Sequence, residues 1–285
     1  MSTNEQYSQG TVYADLAGKT AVVTGAGSCI GRAIAYELGM RQKMFVAVLD
    51  IMEASGRETE ETIKRNGGSA QFYSCDVKDE GNVRAIFDNL RQGRTVETVV
   101  NNAGIALKES MPIARLDVAQ FRKLLDVNVI GYALVSKYAA QAFIEQAGDH
   151  HFLDGSLIYI CSNSGIVGSA NNPYGVTNGA RLTLMREMAA ELGSMGVRSN
   201  AVAPGNVVQG SGLWAGGYLD SRAATKKMTA EAATAAYEHR GLLPMIQATP
   251  EQVAEIVAVL ASPNGPFKRT TSKVFSADGG ELQFP

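Results

Sequence analysis

From residue 20 onward the chain alternates short apolar runs with longer stretches of helical periodicity. The runs are Thr20–Thr24, Met44–Asp50, Ala70–Cys75, Thr98–Asn101, Ser156–Ser162, Val197–Ala203 and Ser272–Ser276. Each has strand length and is apolar at successive positions rather than alternate ones. That pattern predicts strands buried on both faces, as in a parallel sheet. Helical patterns lie between them, at about 30–41, 53–66, 79–93, 117–147, 173–194 and 250–262. Parallel neighbours need crossover connections, and helices supply them. The expected architecture is a single doubly wound α/β domain of three layers, with helices on both sides of a parallel sheet.

Two segments break the rhythm. The stretch 117–147 is long and apolar on more than one face, through Phe121, Leu124, Leu125, Val129, Leu134 and Val135. It either packs only on the sheet or buries a second face against another subunit. A further stripe, Val176, Ala180, Leu184, Met188 and Leu192, runs along 173–194. Both stripes agree with a homo-oligomer, a dimer or tetramer. The second break is Gly205–Pro244, too long for an ordinary connection. It predicts a substrate lid over about 206–245, with Leu213, Trp214, Tyr218 and Tyr237 available for an apolar or sugar-stacking wall. Residues 1–15 are polar and read as a flexible arm, leaving 16–285 as the domain.

Composition narrows the partners. Basic residues number 26 and acidic ones 28, without long runs of either sign, so nothing points to nucleic acid or an anionic membrane. No stretch has the length of a membrane span, and the polar start lacks a secretory signal's apolar core. Cys29, Cys75 and Cys161 are far apart and show no CxxC spacing. His150, His151 and His239 show no HExxH spacing. Neither set predicts a disulfide framework or a metal site, and a cytoplasmic address follows.

Chemistry enters at TAVVTGAGSCIGRAIAYEL, a strand, a glycine-rich turn and a helix start. Gly25, Gly27 and Gly31 let backbone approach a pyrophosphate, which the helix N-terminus would attract. Asp50 closes the next strand. It would accept the adenosine ribose hydroxyls and repel a 2′-phosphate, favouring NAD over NADP, or else it caps the following helix. Asp76, beside Cys75 and Val77, would receive the adenine amino group or cap the helix near Asp79.

These pieces, taken in order, resemble the short-chain dehydrogenase/reductase family from residue 16 to 280. The resemblance rests on Thr24–Gly31, the NNAG of Asn101–Gly104, Asn128 in LLDVNVIGY, Ser162 in IYICSNSG, Tyr174, and Pro204–Gly205 in VRSNAVAPG. It implies a Rossmann-like fold and hydride transfer between NAD and a secondary alcohol or ketone. Ser28, Cys29 and Ile30 would join the glycines around the pyrophosphate. Asn101 would support the sheet, and Asn102, Ala103 and Gly104 the adenosine ribose. Pro204, Gly205 and Val207 would border the nicotinamide. Tyr174 would carry the proton, Ser162 (or Ser164 in its stead) would bond the substrate oxygen, and Asn128 would hold a water and the local helix geometry. The stretch GNVVQGSGLWAGG is similar to sugar- and polyol-oxidising members, which implies a neutral sugar or polyol first, then a small or aromatic carbinol.

Two departures stand out. Cys29 replaces the family's usual glycine; it is tolerated with its side chain turned away, or it weakens the cofactor and responds to oxidation. The family's YxxxK reads Tyr174-Gly-Val-Thr-Asn178 here. The missing lysine would hold the nicotinamide ribose and favour the ionised tyrosine. Asparagine can do the first through its amide but not the second. A free phenol titrates near 10, so about one in a thousand is ionised at neutral pH. A close cation favours ionisation by about ten- to a thousandfold, or about 1.4–4 kcal/mol. Two outcomes follow: an active dehydrogenase with an alkaline optimum, or an NAD-binding protein that is redox-silent or does lyase or isomerase chemistry. Arg181 lies three residues after Asn178, where a surface or inter-subunit pairing is the expectation for arginine.

Overall fold

The computed structural model describes residues 11–107, 111–148, 153–168, 172–207 and 248–282, with Ala223, Met228, Thr229, Ala232 and Leu242. Seven parallel strands form one sheet in the order β3-β2-β1-β4-β5-β6-β7. They are β1 (Thr20–Thr24), β2 (Phe45–Asp50), β3 (Ser69–Ser74), β4 (Thr98–Asn101), β5 (Ser156–Ile160), β6 (Arg198–Pro204) and β7 (Val274–Ala277). Every residue of β1, β4, β5 and β6 is buried, which explains the unbroken apolar runs. The edges differ: β3 alternates buried and exposed positions, and β7 has none buried.

Helices cover both faces. On one lie α1 (Cys29–Tyr36), α2 (Glu53–Arg65) and α7 (Pro250–Ala261), whose Ile34, Ile63 and Val257 share a core with alternate strand residues. On the other lie α3 (Glu80–Arg91), α5 (Tyr132–Ala147) and α6 (Asn172–Leu192), contributing Phe87, Phe143 and Met185. This is the doubly wound, three-layer arrangement that the alternation predicts. The strand order reverses at β1/β4, so the carboxyl ends of these two strands diverge into a crevice.

Two predicted helices are not uniform. Helix α1 widens into a π-helical turn over Glu37–Arg41. The stretch 117–147 is α4 (Val118–Leu125), a π-helical turn at Asp126–Gly131, then α5. The wide turn carries Asn128, and it closes on Gly131 because a β-carbon there would come within 2.7 Å of Val77. Of the polar arm, residues 1–10 lie outside the described residues. Tyr13 is held by Gln42 through its backbone N–H at 2.7 Å, and the Asp15 carboxylate accepts from Ser262 and Asn264. Leu213, Trp214, Tyr218 and Tyr237 of the lid region also lie outside the described residues, as do the three histidines. Among the described residues, no helix is long and apolar enough to cross a membrane.

Candidate active site

A cleft of roughly 590 Å³ opens at the carboxyl ends of β1, β2, β4 and β5, the size of a small-molecule site. Its floor is the turn after β1. Gly25 has a left-handed backbone (φ +63°), and a β-carbon there would lie 2.9 Å from the Ala103 Cα. At Gly31 a β-carbon would sit 2.0 Å from the Gly25 carbonyl, so α1 starts tight against the turn only because residue 31 has no side chain. The turn is also tied to the neighbouring strand. The Thr24 hydroxyl accepts from the Asn102 and Ala103 N–H groups at 2.9 and 3.0 Å. The Asn102 amide donates to the carbonyls of Thr24 and Gly25 at 2.9 and 3.2 Å.

Cys29 stands beside this turn with φ +44°, in the left-handed region that favours glycine. Its side chain packs against the apolar core under α1. Burial pushes its thiol up, and Glu251 adds to the effect, so this is not an activated thiolate.

Asp50 lines one end of the cleft. Its carboxylate accepts from the Gly27 N–H and the Met52 N–H, both at 2.8 Å. It therefore braces the phosphate turn instead of capping α2, which has Met52 at its N-cap and no side-chain cap. Gly27 itself is pressed on this carboxylate and is not part of the cleft wall. Arg32 donates to the Gly27 carbonyl from Nε at 2.9 Å and pairs with Glu58. Asp76 and Val77 line the same end, where Asp76 accepts from the Lys78 N–H. Asp79, not Asp76, caps α3 by accepting from the Asn82 N–H at 3.0 Å. Burial, with Asp76, Asp50 and Asp79 nearby, pushes the Cys75 thiol up to about 12.

The other end holds Tyr174, half-buried on the first turns of α6. Ser162 ends the strand stretch just past Cys161, and its hydroxyl accepts from the Ser164 N–H and hydroxyl at 3.3 and 3.1 Å. The two serines predicted as alternatives are thus one bonded pair. Asn178 is fully buried and does not reach the cleft. Its amide donates to the Tyr174 carbonyl at 2.9 Å, one helical turn back, and its Oδ1 accepts from Arg181 Nη1 at 3.1 Å. The amide expected at the ribose is engaged in a bridge inside α6.

Asn128 is also fully buried. Its Oδ1 accepts from the Ile105 N–H at 2.9 Å, and its Nδ2 donates to the Ile105 carbonyl at 2.8 Å and the Thr177 hydroxyl at 3.2 Å. The side chain thus fixes the wall after Gly104. Pro204, Gly205 and Val207 do not line the cleft. Pro204 ends the buried β6, Gly205 donates to Ala277 at 2.9 Å, and Val207 is in the core. Pro204 and Gly205 stand at the end of the sixth strand, as the sequence places them, and they pair there with Ala277 of β7.

Arg181 overturns the surface expectation. It is 3% exposed and lines the cleft with Tyr174 and Gly104. Its Nε donates to the Asn128 carbonyl at 2.9 Å, and its guanidinium carbon lies 4.1 Å from the centre of the Tyr132 ring. The signal in the sequence was only the i, i+3 spacing from Asn178.

The cleft thus offers glycine backbone at a helix start, a carboxylate at one end, and a phenol and a buried cation at the other. This set fits a dinucleotide laid across the strand ends, with Gly25, Ser28, Cys29, Ile30 and Gly31 under the pyrophosphate.

Comparison with known proteins agrees. A family profile described as enoyl-(acyl carrier protein) reductase matches residues 25–281. Glucose 1-dehydrogenase 2 of Bacillus subtilis is 31% identical over 278 residues, covering 96% of this chain and 98% of its own. The 2,5-dichloro-2,5-cyclohexadiene-1,4-diol dehydrogenase of Sphingobium indicum is 36% identical over 195 residues, 68% of this chain and 74% of its own. A crystal structure from Beutenbergia cavernae, assigned as an NAD(P)-dependent gluconate 5-dehydrogenase with NADP at low occupancy, superposes with a TM-score of 0.79. It is 30% identical and covers 95% of this chain and 99% of that one. A match of this length, borne on a cleft of glycine turn, strand ends and tyrosine, shows that the chain belongs to the short-chain dehydrogenase/reductase family.

Proposed function

We propose that this protein is an NAD-dependent dehydrogenase that interconverts a secondary alcohol and its ketone. The observation that carries the reading is one continuous cleft, with Asp50 and Asp76 at one end and Tyr174 at the other. Oxidised nicotinamide, held in this cleft, would supply the acceptor for the hydride of the carbinol carbon. The chain's own part is to handle the proton. The Tyr174 phenolate takes the proton from the substrate hydroxyl as the carbonyl forms, and the phenol returns it in the reverse direction. Ser162 orients the substrate oxygen, itself held by Ser164. Asn102 and Ala103 support the adenosine ribose, while Gly104, against Arg181, borders the Tyr174 end, where Asn128 keeps the wall in place.

Asp50 supports NAD over NADP, because its charge would oppose a 2′-phosphate. The substrate class follows the names of the relatives: a cyclic diol, a sugar and a sugar acid. Each carries at least two hydroxyls and two of the three are uncharged, which supports a neutral polyol or sugar. Exposed Ile130, Ile144 and Val176 on the π turn, α5 and α6 support assembly through these helices into a dimer or tetramer.

The test compares NAD and NADP binding, then follows nicotinamide absorbance across neutral sugars, polyols and aryl alcohols. Turnover that falls by about a hundredfold or more in Tyr174→Phe, with NADH binding kept, supports the reading. Full activity in that variant removes the tyrosine. Asn178 favours a second reading, a redox-silent NAD(H)-binding protein. Firm NADH binding with silence across the panel would select it.

A further inference from the structure

Arg181 makes three hydrogen bonds inside the protein, to the Asn128 carbonyl, the Ile160 carbonyl and Asn178 Oδ1. None of these acceptors is ionised. No carboxylate pairs with it among the described residues. Its remaining nitrogen, Nη2, is buried and has no partner. A buried cation with a vacant donor is costly, and folded proteins seldom leave one so. The donor lies against Gly104, where a β-carbon would come within 2.6 Å of it, at the cleft wall both residues line. Three bonds and the Tyr132 ring fix the guanidinium in place, with Nη2 against Gly104.

Resting on the dinucleotide reading above, we propose that Arg181 is the ligand-binding cation of this site. Its Nη2 donates to a hydroxyl of the ribose that carries the nicotinamide. Asn178 serves it as an anchor, accepting Nη1 while donating to the carbonyl of Tyr174. Arginine at 181 and asparagine at 178 therefore act as a pair, with the cation moved one helical turn along α6.

The test measures binding of NADH and of ADP, which lacks the second ribose and the nicotinamide, by calorimetry on the full chain. In Arg181→Met, NADH is expected to weaken about ten- to a hundredfold, the range for a hydrogen bond from a charged donor, while ADP changes less than about twofold. Arg181→Lys retains part of the NADH affinity. Asn178→Lys in the Arg181→Met background recovers most of it, whereas Asn178→Lys alone crowds two cations and recovers nothing. Unchanged NADH affinity in folded Arg181→Met overturns the proposal, and so does an equal loss of NADH and ADP. Should Arg181→Met fail to fold, the double variant decides: recovery supports the pair, and binding of ADP alone overturns it. A wild-type chain that binds neither NADH nor ADP defeats the dinucleotide reading itself, a different result from either.

Discussion

Cys29 holds a backbone conformation that favours glycine, and its side chain is what makes this expensive. A left-handed conformation costs a residue with a β-carbon about 1–2 kcal/mol, part of which glycine gives back through its freer unfolded chain. Cys29→Gly is therefore expected to stabilise the fold by up to about 1 kcal/mol, read from denaturant midpoints. NADH affinity should change less than about twofold, because the thiol packs into the core and burial keeps it protonated. A large gain in affinity would mean that the side chain obstructs the turn. Gly31→Ala is the opposite case. Its β-carbon meets backbone, the Gly25 carbonyl at 2.0 Å, so the turn must open. Loss of NADH binding in a protein that retains its circular dichroism is the expected result. Gly104→Ala should act at the other end, displacing the guanidinium of Arg181.

Between elements, the phosphate turn depends on β2 as much as on β1. Asp50 braces Gly27, so Asp50→Ser removes both a negative charge and a strut. NADP should gain on NAD in this variant, while affinity for both falls; side-by-side titration reads the ratio. Helix α7 begins with a reciprocal cap, in which the Thr249 hydroxyl accepts from the Gln252 N–H and Gln252 accepts from the Thr249 N–H. Thr249→Ala is expected to cost about 1 kcal/mol of stability. The elements themselves were legible because buried parallel strands leave continuous apolar runs, as in TAVVT and SLIYI. β1 and β4 kept their expected bounds, while the other strands moved at one or both ends by one or two residues, since nothing local marks where the ladder stops. The π turns left no signature. The one at Asp126–Gly131 sits where Gly131 packs against Val77, a tertiary contact that no spacing reveals. Helix α6 was misleading for a related reason. Its apolar stripe includes Val176, which is exposed, while the inward face carries Thr177, Asn178 and Arg181. A buried cation runs against the ordinary behaviour of arginine, so only the fold could bring Arg181 to the site.

Across the whole molecule, alkaline pH should be the weak flank. Burial pushes Cys75 and Cys161 from the usual thiol range near 9 up to about 12, and pushes the Tyr132 and Tyr159 phenols up as well. A group whose titration is raised by folding favours the folded state while protonated. That stability is complete below the unfolded value and is lost as pH climbs toward the folded one. Denaturant midpoints are therefore expected to hold to about pH 8 and to drop by about pH 10.5, with a smaller drop in Cys161→Ala. The same groups predict that Cys75 and Cys161 resist thiol reagents until the chain unfolds. Light scattering should find a dimer or tetramer, and Ile144→Glu should reduce its mass if α5 forms the contact.

Asn128 grips the peptide of Ile105 from both sides and offers its own carbonyl to the arginine. One asparagine thus clamps a loop, a widened helix and a charge into a single rigid jaw before any guest arrives. A visitor meeting such a mould has little to rearrange. Its capture should follow one simple exponential whose rate climbs linearly with concentration, and loosening that clamp with Asn128→Ala should add a slow, concentration-independent phase in which the jaw sets itself.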